Sequence, residues 1–131
     1  MTAYEELRRR ADEVWRAFLH PARPRIDVAV ATCSHAAGVH ATLAALRDQI
    51  AARNLAVDLG ITGCNGFCFL EPLVTVTRPD GSRILYGPVR PDDVPELLDQ
   101  ALTGVCTRLV VGRLAGQSDE RVPPLAQPFF M

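Results

Sequence analysis

Apolar positions recur along this chain with two different periods, and the switches between them predict its elements. Tyr4, Leu7, Ala11, Val14, Trp15 and Phe18 fall on one side of a helix over residues 4–18, with Arg8, Arg9 and Arg10 on its solvated face. The stretch "HPARPR" ends that helix, because Pro21 and Pro24 cannot continue it. "IDVAVA" (26–31) is short, apolar and rich in β-branched residues, which predicts a buried strand. Val39, Leu43, Leu46 and Ile50 then return to helical spacing over 39–53. "AVDLGI" (56–61) is a second strand, "LVTVT" (73–77) a third, and "RILYG" (83–87) a fourth; Asp80-Gly81 supplies the hairpin turn before the last of these. "PDDVPELLDQALTG" predicts the final helix, with Pro91 at its start, Pro95 tolerated in its first turn, and Gly104 suited to its end. Asp92 and Asp93 favour the positive end of that helix rather than forming a catalytic pair. The tail after Val111 reads as a loop and ends in Phe129 and Phe130, aromatics that call for a covering surface.

The order is one helix, then β-α-β, then β-β-α. Without its first helix this is the arrangement of a thioredoxin-like α/β fold, with a central four-stranded mixed sheet. Three segments follow: an appended amphipathic helix (1–20), a thioredoxin-like domain (21–111), and a C-terminal linker or tail (112–131). The apolar stripe on the first helix is expected to fold back onto the sheet, with another subunit as its alternative cover. Among 131 residues, 14 basic side chains stand against 15 acidic ones, so the charge pattern points to neither a nucleic-acid groove nor a membrane surface. No apolar run reaches the roughly 20 residues that span a bilayer, and "MTAYEELRRRADEVW" lacks a signal-peptide core. The expected compartment is the cytoplasm, where neighbouring thiols serve metals or catalysis more often than disulfides.

The chemistry lies in "TGCNGFCFLEP" (62–72), where Cys64 and Cys68 stand four positions apart beside Gly63 and Gly66. If the first strand runs upward, its top delivers Cys33. A right-handed crossover then brings the second strand up in parallel, and its top delivers Cys64 and Cys68. Three thiols from two loops therefore gather at one end of the sheet. The last helix descends from that end, which places Cys106 at the bottom as a small buried residue. Such a trio suits iron–sulfur ligation, with the glycines letting backbone N–H groups approach the sulfurs and Phe67, Phe69 and Leu70 shielding them from water. The plainer alternatives are core aromatics and turn glycines. A zinc site using Cys33, Cys64, Cys68 and His35 is chemically allowed. A dithiol oxidoreductase is not favoured, because it wants C-x-x-C at a helix start and this loop has one residue too many. His20 marks a helix end, and His40 lies on the polar side of its helix.

With those residues placed, "TGCNGFCFLEPLVTV", the "PDG" turn and "YGPVRPDDVPELLDQAL" resemble the thioredoxin-like [2Fe-2S] ferredoxins, over most of the chain. "VATCSHAAG", "GFCFLEPL" and "PPLAQPFF" resemble more particularly the N-terminal extension of the NADH- and FMN-binding subunit of NAD-linked formate dehydrogenases and bidirectional hydrogenases. The resemblance implies an accessory domain whose partners are the flavoprotein and other iron–sulfur subunits of such a complex. The tail would lead to a flavin domain in fused relatives. Glycine-rich FMN and NADH loops are not seen here, so no FMN or NAD site is expected in this chain, which would be a fragment or a split accessory subunit. Cys64 and Cys68 match the family's C-x-x-x-C pair, and Cys33 matches the second ligand of its first loop. The first ligand should precede Cys33, yet "DVAVAT" holds no cysteine. Two readings follow. One is a docking module that has lost its cluster. The other is a one-electron carrier with a [2Fe-2S] cluster on Cys33, Cys64, Cys68 and a non-cysteine ligand, Ser34 or His35.

Overall fold

Thr2 opens the first helix by a reciprocal cap: its hydroxyl accepts the Glu5 N–H while the Glu5 carboxylate accepts the Thr2 N–H. That helix is α1 (Ala3–Leu19), followed by β1 (Arg25–Ala29), α2 (Thr32–Ala36), α3 (Val39–Ala52), β2 (Asp58–Thr62), β3 (Val74–Thr77), β4 (Arg83–Tyr86), α4 (Val94–Ala101) and β5 (Val110–Ala115). Single 3-10 turns cover Cys68–Leu70 and Pro91–Asp93. The computed structural model describes residues 1–115 and 122–125, so Phe129 and Phe130 lie outside the described residues.

The strands form one sheet in the order β2-β1-β3-β4-β5. β1 and β2 are parallel, as a β-α-β unit requires, and the other neighbours are antiparallel. The hairpin turn is held by Gly81, whose φ of 87° only glycine adopts freely, and by Asp80, which accepts the Ser82 N–H at 2.9 Å.

The sheet has five strands where the sequence predicts four, because residues 110–115 form a strand rather than the start of a loop. Its pairing with β4 contains two register shifts, which break the period-two alternation that announces a strand. Gly112 lies against Leu125, where a Cβ would come within 2.9 Å of Leu125 Cδ1. The glycine that looks like a loop marker admits a close approach between chain segments.

One face of the sheet carries the main core. Ile26, Val28, Val76, Ile84 and Tyr86 pack there against Leu43 and Leu46 of α3 and Val94, Leu97 and Leu98 of α4. Each such side chain contributes roughly 1.5–3 kcal/mol by burial. Thr42 ties α3 to the segment before α4, its hydroxyl donating to the Val89 carbonyl at 2.7 Å. On the other face a smaller cluster joins Ala29, Leu73 and Leu85 to Phe67, Leu70, Val111 and Leu114.

The expectation that α1 folds its stripe onto the sheet is corrected. No residue of α1 is buried, and Leu7, Val14 and Trp15 are exposed. Phe18 is its anchor, with the Arg25 guanidinium 3.8 Å and the Arg83 guanidinium 5.2 Å from the ring centroid. The sheet presents polar side chains at that place, the Arg25–Asp27 ion pair among them at 2.8 Å, and so gives the stripe no apolar surface to land on.

Candidate metal centre

Parallel pairing of β1 and β2 decides where the thiols go. Ala29 is in register with Thr62, so both strands leave the sheet at the same end, and the Val30 N–H still donates to the Thr62 carbonyl at 2.9 Å. Beyond β1 the chain turns at once into α2, a helix that the apolar pattern does not announce. Ser34 shapes this entry: its hydroxyl accepts the Ala31 N–H at 2.6 Å and donates to the Ala31 carbonyl at 2.8 Å. Cys33 thereby sits in the first turn of α2, half-buried. Beyond β2, Cys64 and Cys68 flank a turn in which Gly66 has φ of 85°.

The three sulfurs converge. Cys33 Sγ lies 3.5 Å from Cys64 Sγ, which lies 3.5 Å from Cys68 Sγ, and all three fall within 4.8 Å of one another. The Gly66 N–H donates to Cys64 Sγ at 3.3 Å. That donor, helped by the Cys33 and Cys68 thiols, lowers the Cys64 pKa. Cys33 moves the other way, pushed up to about 12 by its hydrogen bonds with Cys68 and Cys64, which the proton sustains. Without metal, Cys64 is thus the readier thiolate of the two.

Cys106 is not among the trio. It is fully buried in the main core, and that burial raises its pKa. Its position is corrected in one respect. The Gly104 carbonyl is held by Arg78 at the hairpin-turn end of the sheet, and from there the chain climbs back through Cys106 to Val110, which pairs with Tyr86. Cys106 therefore lies part-way up the core and not at the bottom, because β5 has to be fed from that side.

The other predicted site residues are employed elsewhere. Ser34 is buried and bonded to Ala31 as described. The exposed His35 ring pairs with His40, nitrogen to nitrogen, at 2.7 Å. Asp93 accepts the Arg90 N–H at 2.9 Å and pairs with Arg108 at 2.6 Å, a helix-start role. Phe67 is half-buried in the smaller core cluster, whereas Phe69 projects into solvent with 81% of its surface exposed and does not shield the sulfurs. Glu71, which carries no mark of its own in the sequence, is buried, with one oxygen accepting the Cys33 S–H at 3.8 Å and the other the Leu73 N–H at 2.8 Å. The available signal was an acid between "CFL" and "PLV", two apolar runs that must both pack.

Metal–sulfur bonds of about 2.3 Å in a tetrahedron set two thiolates on one metal roughly 3.8 Å apart, which the Cys33–Cys64 and Cys64–Cys68 spacings approach. The trio supplies three of the four thiolates such centres ordinarily take.

No family model matches the chain. It is similar to the NADP-reducing hydrogenase subunit HndB of Solidesulfovibrio fructosivorans, 29% identical over 100 residues that cover 75% of this chain and 79% of that protein. Its fold is similar to a thioredoxin-like [2Fe-2S] ferredoxin from Aquifex aeolicus, with TM-score 0.61 and 24% identity, covering 74% of this chain and 97% of that one. A wild-type crystal structure of a thioredoxin-like [2Fe-2S] ferredoxin from the same organism gives TM-score 0.58 and 25% identity over 69% of this chain and 97% of that one.

Proposed function

We propose that this chain, a thioredoxin-like ferredoxin by fold with a hydrogenase subunit among its relatives, is an accessory electron-transfer domain of an NAD(P)-linked oxidoreductase complex of hydrogenase or formate dehydrogenase type. The observation that carries this is the convergence of Cys33, Cys64 and Cys68 from two loops onto one end of the sheet. These three residues would hold a [2Fe-2S] group, which when bound supplies one-electron chemistry. The chain's own part is to position and tune it. The Gly66 N–H, already aimed at a sulfur, stabilises negative charge there. Cys64 and Cys68 are exposed, which leaves an edge of the site open to a partner's redox centre. The uncovered stripe of α1 supports a place beside other subunits, namely the flavoprotein and iron–sulfur partners of a cytoplasmic complex. No helix among the described residues is long and apolar enough to cross a membrane.

A second reading, a docking module without a cluster, is favoured by one observation: both core clusters close without any of the trio's side chains. Anaerobic purification with iron and acid-labile sulfide analysis separates the two. Electron transfer predicts about two irons and two sulfides per chain with a spin-half EPR signal after dithionite. Folded, iron-free protein that takes up no iron on reconstitution overturns it and leaves the docking module.

A further inference from the structure

The donor set of the thiol site lacks one member, and the residue best placed to supply it is not a cysteine. We infer that the Glu71 carboxylate is the fourth protein ligand; this rests on the reading above that the trio holds an iron–sulfur group.

Three observations carry it. First, Glu71 is only 6% exposed, and no arginine or histidine among the described residues forms an ion pair with it. A glutamate side chain is seldom buried unless it is paired or coordinates a metal. Second, its two oxygens are differentiated. Oε2 accepts the Leu73 N–H at 2.8 Å, and Oε1, at the edge of the trio, accepts the Cys33 S–H at 3.8 Å, a bond that ligation would replace. Leu73 itself is fully buried beside β3, so its N–H belongs to the rigid part of the fold. A ligand atom held by an outer hydrogen bond is the usual construction of metal sites. Third, the competing donors bond away from the trio, Ser34 to Ala31 and His35 to His40, whereas Glu71 bonds to Cys33 itself.

The charges also match. Three thiols release their protons to solvent on ligation, and with the carboxylate they carry the same formal charge as the four thiolates of an ordinary [2Fe-2S] site. A neutral histidine in the fourth place would not achieve this. Oε1 forms the new bond to metal while Oε2 keeps the Leu73 N–H.

The test is anaerobic reconstitution of the full chain with ferrous iron and sulfide, comparing wild type, Glu71→Gln and Glu71→Cys. Bound iron, the visible thiolate-to-iron absorption and the EPR signal are read, with far-UV circular dichroism of each metal-free protein as the check on folding. Glutamine keeps an acceptor for Leu73 but not an anionic oxygen, so iron affinity should fall about tenfold or more. Cysteine should restore loading with an altered charge-transfer spectrum, whereas a merely structural carboxylate would tolerate glutamine better than cysteine. Wild-type loading that neither substitution changes, or a cysteine variant that loads less than the glutamine one, overturns the Glu71 assignment alone. Folded wild type that binds no iron overturns the assignment together with the reading it rests on.

Discussion

Gly87 is where the sheet meets the cysteine-bearing loop, and replacing it with alanine should disturb both. An added Cβ would stand 2.6 Å from Leu73 Cδ2, 2.7 Å from the Leu70 carbonyl oxygen and 3.5 Å from the Pro72 carbonyl oxygen. Leu73 is fully buried, and the Leu70 contact is backbone, so neither neighbour can step aside by a simple rotamer change. Gly87 does not need a left-handed backbone, so the cost is steric rather than conformational. Overpacking of this kind costs about 1–3 kcal/mol. For a chain of this size that corresponds to a fall in Tm of roughly 3–15 °C. Gly63→Ala is the matched control, since a Cβ there meets nothing within 4 Å, and it should change stability by less than about 0.5 kcal/mol. Urea unfolding of the metal-free proteins, followed by circular dichroism, reads both, and equal slopes confirm that the midpoints report stability. Leu70 lies two residues beyond Cys68, so Gly87→Ala should also weaken iron uptake. Coincident midpoints for Gly87→Ala and wild type, or a larger loss from Gly63→Ala, would refute the packing argument.

Two further substitutions probe the frame around the site. Thr42→Val preserves volume but leaves the buried Val89 carbonyl without its donor; unfolding free energy should fall by about 1–2 kcal/mol, and an unchanged midpoint counts against the tie between α3 and the α4 entry. Asp80 has its pKa lowered, chiefly by the Ser82 N–H, so its stabilisation is present above the ordinary aspartate value of about 3.9 and is lost as pH falls through its lower folded value. Asp80→Ala should therefore destabilise at neutral pH by about 0.5–1.5 kcal/mol, with the gap to wild type closing in acid; a gap that widens in acid would contradict this.

What could be read in advance followed from uninterrupted periodicity. Ile26 and Val28 announce β1, Val39, Leu43 and Leu46 announce α3, and a right-handed crossover between two parallel strands is enough to bring Cys33 towards Cys64 and Cys68. Other features lack a periodic signal. α2 has no apolar repeat in "TCSHA" and is shaped at its entry by the Ser34 hydroxyl. β5 hides behind register shifts and Gly112, and its omission also misplaced Cys106. The apolar stripe of α1 invites a landing on the sheet, and only three-dimensional placement shows Arg25, Asp27 and Arg83 occupying the available face. Glu71 escaped because a lone acid between apolar runs looks like surface until its burial is seen.

The central claim is that Cys33, Cys64 and Cys68 act together as ligands of one metal centre. Thiol alkylation of iron-reconstituted protein, mapped by mass spectrometry before and after chelation, tests it directly. All three should be protected in the same molecules and become labelled together once iron is removed, while buried Cys106 reacts only on unfolding. Labelling of Cys33 while Cys64 and Cys68 stay protected would contradict it.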